Sequence, residues 1–172
     1  MGIFNLQADE NTFDEQQQES VMRYKALFDS TNDAIMIAEA PTWKFTKGNP
    51  ATLRMFNCDS DEQFESLAPW EVSPERQSDG QLSSVKAKEM IGKAIKEGVN
   101  FFDWVHKRHN GPEFQATVSL TRIRLGDKEF LQAIVRDVNK EKETEAKLKE
   151  KSKEAEDLRE QIKKLEEKLA SK

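Results

Sequence analysis

Residues 131–151 read LQAIVRDVNKEKETEAKLKEK, and this junction constrains the chain more than any other stretch. Its first part alternates. Leu131, Ala133 and Val135 fall on one side of a strand, and Gln132, Ile134 and Arg136 fall on the other. Its second part is almost nothing but charge. No glycine or proline separates the two, so the chain has to carry a buried strand without a flexible break into a long solvated helix.

The charged segment has a pattern of its own. With Ala155 at heptad position a, Leu158 is d, Ile162 a, Leu165 d and Leu169 a; backwards, Lys151 falls at d and Leu148 at a. That is a coiled-coil seam from Ala155 onward and a weaker one before it. Glu154 at g and Arg159 at the following e can pair between parallel chains. The competing reading is a single helix held by i,i+4 pairs such as Glu143 with Lys147.

Charge is distributed unevenly. Asn139 to Lys172 holds 11 Lys/Arg and 10 Asp/Glu with no aromatic residue, so this tail is net +1 and the remainder of the −5 chain is −6. The first 22 residues hold five acids and no base. Such a surface repels phosphate backbones, which argues against nucleic-acid binding. One cysteine allows no intrachain disulfide and fits a reducing compartment. No apolar run approaches the ~20 residues that span a bilayer. The start, MGIFNLQADENTF, lacks the basic region and long apolar core of a signal peptide, and Leu6 stands where a myristoylation signal has Ser or Thr. The expectation is a cytoplasmic protein with no membrane segment within this chain.

Residues 1–11 read as a disordered arm and 12–30 as a helix, with Thr12 and Glu15 forming a capping box. Phe13, Gln17, Val21, Tyr24 and Phe28 lie on one stripe of that helix. The stripe docks on its own domain, pairs with a second copy, or does both. Strands are expected at AIMIAE (34–39) and around WKFTKGN. Asn49-Pro50 opens a helix, PATLRMF, with Pro at its first position. Short helices fit DEQFESL and APWEVS, and 74–82 is a polar loop. Ser83 or Ser84 caps a helix that Gly98 stops, with Ala87, Met90, Ile91, Ala94 and Ile95 on its buried face. Three strands follow. The first two turn at Asn110-Gly111 and the last two at Gly126-Asp127. Helices grouped between a hairpin and a three-stranded meander make an α+β fold.

Over Tyr24–Asn139 the chain resembles a PAS domain. The matching pieces are YKALFDSTNDAIMIAE, NPATLRMFN, the helix 83–98, FDWVHKRHNGPEFQATVSLTRI, and IVRDVNKEK, which is similar to the family's usual D-I-T ending. The resemblance implies a five-stranded antiparallel sheet with helices on one face, spanning residues 31–139, flanked by the N-terminal helix and a coiled-coil signalling helix over 140–172. It implies a sensor and dimerisation module rather than an enzyme, with a small ligand or cofactor between helices and sheet. The sequence carries no G-x-S-x-G, phosphate loop or metal motif.

Pleat alternation combined with the family pattern puts Phe102, Trp104 and His106, then Phe114, Ala116, Val118 and Leu120, then Leu131, Ala133 and Val135 toward the helices. With Phe56, Trp70, Met90, Ile91 and Ile95, all of these except Leu131 are the candidate pocket residues, and most of them must simply be core. Trp70, Trp104, His106 and Arg136 are candidates to orient a ligand, although Arg136 faces away from Val135 and suits a salt bridge. The flavin photosensors of the family need a reactive Cys in a short helix, whereas Cys58 lies just after the NPA segment. They also hold the flavin ring with two sheet Asn, whose positions here are His106 and Ala116. Haem-binding members carry a His on the long helix, and residues 83–98 contain none. Both types are disfavoured and the cofactor is left unknown. His106 is expected to be either a core imidazole satisfied by backbone or water, or a ligand contact titrating near neutral pH. His109 sits beside a turn. Three residues apart, the two rings fall on opposite strand faces, so no metal site is proposed.

Two functions remain open. One is a bacterial-type sensory PAS module that binds an unknown small ligand and passes a change through Asp137, Val138 and Asn139 to a dimeric helix. An effector domain beyond Lys172, or a partner signalling protein, would receive it. The other is a ligand-free dimerisation scaffold. Dimerisation would use Phe13, Val21, Tyr24 and Phe28, and Leu148, Ala155, Leu158, Ile162, Leu165 and Leu169.

Overall fold

The computed structural model describes residues 3–170, with side chains described for 14–139, 141–161 and 166. In chain order the elements are α1 (Ile3–Ser30), β1 (Ala34–Glu39), β2 (Lys44–Gly48), α2 (Pro50–Phe56), α3 (Asp61–Glu65), α4 (Ser83–Glu97), β3 (Val99–Lys107), β4 (Glu113–Leu125), β5 (Lys128–Asp137) and α5 (Asn139–Ala170). The chain divides into two units, Met1–Arg136 and Asp137–Lys172.

The strands form one antiparallel sheet in the order β2-β1-β5-β4-β3. Strand β5 is central, with β1 beside it, and the alternating small and apolar residues of β1 suit burial on one face. Its register with β5 sets Ala34 opposite Val135, Met36 opposite Ala133 and Ala38 opposite Leu131, so all six share the buried face. On the same face, toward the other edge of the sheet, Trp104 lies opposite Ala116 and His106 opposite Phe114. A bulky ring facing a methyl group lets the inner layer close-pack. The core gathers these residues with Phe45, Phe56, Phe64, Val72, Ala87, Ile91 and Ala94. A fully buried Phe such as Phe56 or Phe64 contributes about 1.5–3 kcal/mol over its exposed state.

Asn49 joins three elements. Its side-chain oxygen caps α2 by accepting from Thr52 N at 2.9 Å, and it also accepts from Ile35 N at 3.1 Å. Its amide donates to Phe28 O at 3.0 Å and to Asp33 O at 3.1 Å. One fully buried side chain therefore pins the end of α1, the start of β1 and the start of α2. Beside it, Gly48 permits a close approach: a Cβ there would stand 3.0 Å from Thr52 Cγ2 and 3.1 Å from the Phe64 ring. Gly98, at φ 90°, ends α4 and turns the chain into β3.

Several expectations need correction. Helix α1 starts at Ile3 rather than residue 12, so the arm expected over 1–11 is helical from Ile3 on and the Thr12 capping box falls inside a helix. No Gly or Pro between Ile3 and Thr12 stops it. Residues 68–73 form turns rather than a helix. There Ala68 N donates to Glu71 Oε2 at 2.8 Å and Ser73 Oγ to Pro69 O at 2.7 Å, and such local side-chain bonds compete with helix. Neither Ser83 nor Ser84 caps α4, which begins at Ser83 after Leu82. Ser83 Oγ instead donates to Pro74 O at 2.6 Å and accepts from Gln77 Nε2 at 2.9 Å, fastening the preceding loop. The β3–β4 connection is five residues, 108–112, rather than a two-residue Asn-Gly turn. His109 N donates to Phe56 O at 2.7 Å and holds that loop on α2. Strand β3 begins at Val99, directly after Gly98.

The second unit is the helix α5. Asp137 Oδ1 accepts from Asn139 N at 3.0 Å and Lys142 N donates to Val138 O at 2.9 Å, so the first turn is closed at once. Exposed pairs Lys147–Glu143 at 2.5 Å and Lys149–Glu145 at 3.3 Å run along it.

Candidate functional site

A cavity of ≈ 50 Å³ lies between α4 and the inner sheet face. Of the pocket residues expected from sequence, Met90, Ile91, Phe102, Trp104, His106, Val118, Leu120, Ala133 and Val135 line it. Phe56, Phe114 and Ala116 do not; they are buried in the packed core beyond it. Trp70 and Ile95 instead line an open groove along a flank of α4, which shares Ile91 with the cavity. Met36, Ala38, Phe45, Pro69, Ala87 and Leu131 also line the cavity and were not among the pocket candidates, although Ala87 and Leu131 were expected on inward faces. The alternation of AIMIAE marked Met36 and Ala38 as one face of a strand. Nothing local marked Pro69, whose place depends on the turns of 68–73.

The polar groups around this cavity are mostly committed. Trp104 Nε1 donates to Ser73 Oγ at 2.9 Å. His106 Nδ1 lies 3.0 Å from Val72 O, an acceptor, so Nδ1 carries the proton and Nε2 does not. Nε2 is buried and meets no protein donor among the described residues. The ring packs between aromatic neighbours, edge-on to Phe56 at 5.1 Å and stacked on Phe114 at 5.6 Å. Burial pushes the His106 pKa down to about 4, against the smaller opposing effect of the Val72 carbonyl. Of the two readings of His106, the core imidazole held by a backbone carbonyl is the one the structure shows, and titration near neutral pH is not: the imidazole is neutral at pH 7.

Size limits what the cavity takes up. Drug-sized ligand sites occupy roughly 300–1,000 Å³, and one liquid water occupies about 30 Å³. At ≈ 50 Å³ the cavity admits only a few heavy atoms unless Met36 or Met90 moves. Thioether side chains have three rotatable bonds and yield more readily than branched ones. Cys58 is half-buried after α2, and burial raises its thiol pKa, which disfavours the reactive thiolate.

Strand β5 connects this site to the second unit by chain continuity. Leu131, Ala133 and Val135 form cavity wall, β5 ends at Asp137, and α5 starts at Asn139, leaving Val138 alone between them. Arg136 points away from the cavity, as its alternation implies. It makes a two-pronged ion pair with Asp33, Nη2 to Oδ2 at 2.6 Å and Nε to Oδ1 at 3.1 Å. That pair holds the Asp33 carboxyl below its ordinary range.

The expected dimerisation residues divide. Phe28 is buried in its own domain and stacks on Tyr24 at 5.9 Å. Val21 and Tyr24 are exposed on α1, and Leu148, Ala155 and Leu158 are exposed on α5. The side chains of Phe13, Ile162, Leu165 and Leu169 lie outside the described residues.

The sequence model of the PAS domain family matches residues 22–87. Among solved structures, a PAS domain from a two-component sensor histidine kinase superposes with TM-score 0.58 at 19% identity, covering 70% of this chain and 98% of that one. The PAS domain of an HTR-like protein from Haloarcula marismortui gives 0.55 at 20% identity, covering 74% and 98%. An RNA-binding light-oxygen-voltage receptor gives 0.58 at 18% identity, covering 76% of this chain and 36% of that one. No curated protein matches the sequence. The strand order and the helices packed on one sheet face are those of the PAS fold, and the PAS family model matches within it over residues 22–87.

Proposed function

We propose that the chain is a sensory PAS module that binds a small molecule in its inner cavity and passes the change to α5. The observation that carries this reading is the path of β5. Three of its residues are cavity wall, and one residue separates its end from a 32-residue helix. Occupation of the cavity biases the position of the β5 end. The bias reaches α5 through Asp137, Val138 and Asn139, and dimerisation through α5 and the exposed stripe of α1 turns it into a change of splay or rotation. A ligand drives this only by its difference in affinity for the two arrangements. The receiver is an effector domain further along the chain or a partner signalling protein, and the module acts by binding rather than by catalysis. No described helix is long and apolar enough to cross a membrane, which is compatible with a cytoplasmic site of action.

One observation favours a second reading. A cavity of ≈ 50 Å³ suits a ligand-free domain used only to dimerise. Native mass spectrometry of freshly purified protein separates the two. A dimer carrying extra mass supports the sensor, a dimer of bare mass supports the scaffold, and a monomer overturns both.

A further inference from the structure

We propose that the groove along the flank of α4 that meets Trp43 and Trp70 is a second binding site, for a small aromatic carboxylate. It is a different site from the inner cavity and stands whether or not that cavity takes a ligand. Lys88, Ile91, Gly92 and Ile95 are spaced i, i+3, i+4 and i+7, so they share one face of α4. Together with Trp43 and Trp70 that face lines an open groove.

Three observations define the occupant. First, both tryptophans are only half-buried, and among the described residues no acceptor takes either indole N–H. The third, that of Trp104, is spent on Ser73. Second, the Lys88 ammonium lies 5.5 Å from the Trp70 ring centre, and no carboxylate of a described residue pairs with it. A cation beside the Trp70 ring, in a groove with two indole N–H donors that no described residue takes, favours a planar anion. Third, Gly92 sits inside α4, where glycine weakens a helix relative to alanine. Nothing in the protein requires it: a Cβ there meets no atom within 4 Å. Its lack of a side chain leaves space on the groove floor. The ligand ring lies on that floor against the indoles, and its carboxylate accepts from Lys88 and an indole N–H.

The test uses the full chain, phenylacetate and its neutral amide, followed by NMR of the indole N–H signals assigned with single Trp→Phe variants. Saturable shifts of the Trp43 and Trp70 signals are expected with phenylacetate, and binding about fivefold weaker with the amide, as for an exposed charge contact. Lys88→Gln should abolish that preference. Gly92→Ala should weaken phenylacetate binding while raising the melting temperature, a combination that loss of folding does not produce. No saturable shift, equal binding of acid and amide, or a Gly92→Ala variant that binds undiminished would each overturn the proposal. A shift confined to Trp104 would overturn it as well, since it places the ligand in the inner cavity.

Discussion

His106 Nδ1 donates to the Val72 carbonyl across 3.0 Å, tying the inner face of β3 to the turn that precedes α4. That bond fixes the tautomer, and burial keeps the ring neutral. The pKa falls from 6.5 to about 4 in the folded state. Between those values the unfolded chain binds the proton and the folded chain does not, so stability rises with pH. The contribution is fully present above pH 6.5 and lost as pH falls to about 4, in total roughly 3 kcal/mol. Asp33, with its lowered pKa, adds loss in the same direction only at still lower pH. Urea unfolding at pH 7 and pH 4.5 should show the drop, and His106→Leu should flatten it in that window. Equal slopes for the two proteins would contradict the assignment.

Asn49→Ala removes a buried amide bonded to α1, β1 and α2 at once. The variant strands the partner groups, and should cost about 2–4 kcal/mol by urea denaturation. A cost under 1 kcal/mol would mean that these bonds are readily replaced by water.

Asp33→Asn offers a contrast. The Arg136–Asp33 pair has good two-pronged geometry, but the arginine side chain is 63% exposed. Its loss should cost less than about 1 kcal/mol, and added salt should shrink the difference. A larger, salt-insensitive cost would show that the pair is more sheltered than it looks.

Ala133→Val adds two methyl groups to the cavity wall, where ≈ 50 Å³ is open. Stability should change by less than about 1.5 kcal/mol, as for a tolerated core swap, and any small-molecule mass retained by the wild type should disappear. Retention of the same mass would place the ligand elsewhere.

The sheet was largely legible because its residues follow a two-residue period. Leu131, Ala133 and Val135 fell on the inner face as read, as did Phe114, Ala116, Val118 and Leu120. The site was less so. Phe56 and Trp70 looked like pocket residues because they are large and apolar, but size does not say on which side of a packed layer a ring ends. Phe56 faces Phe64, His106 and Phe114 inside the core, while Trp70 turns outward on 68–73. Those turns rest on Glu71 and Ser73 bonding their own backbone, a choice that the helical look of APWEVS conceals. The tautomer of His106 was equally hidden, since it depends on Val72, 34 residues away.

The central claim is that a change at the cavity is inherited by α5 through Asp137, Val138 and Asn139. Interspin distances between labels at Leu148→Cys, in a Cys58→Ser background, test it most directly. They should be measured with the cavity open, with it filled by Ala133→Val, and again with two glycines inserted between Val138 and Asn139. The account predicts that filling the cavity shifts the distance distribution and that the insertion abolishes the shift. Identical distributions with the cavity open and filled, or a shift that survives the insertion, would contradict it.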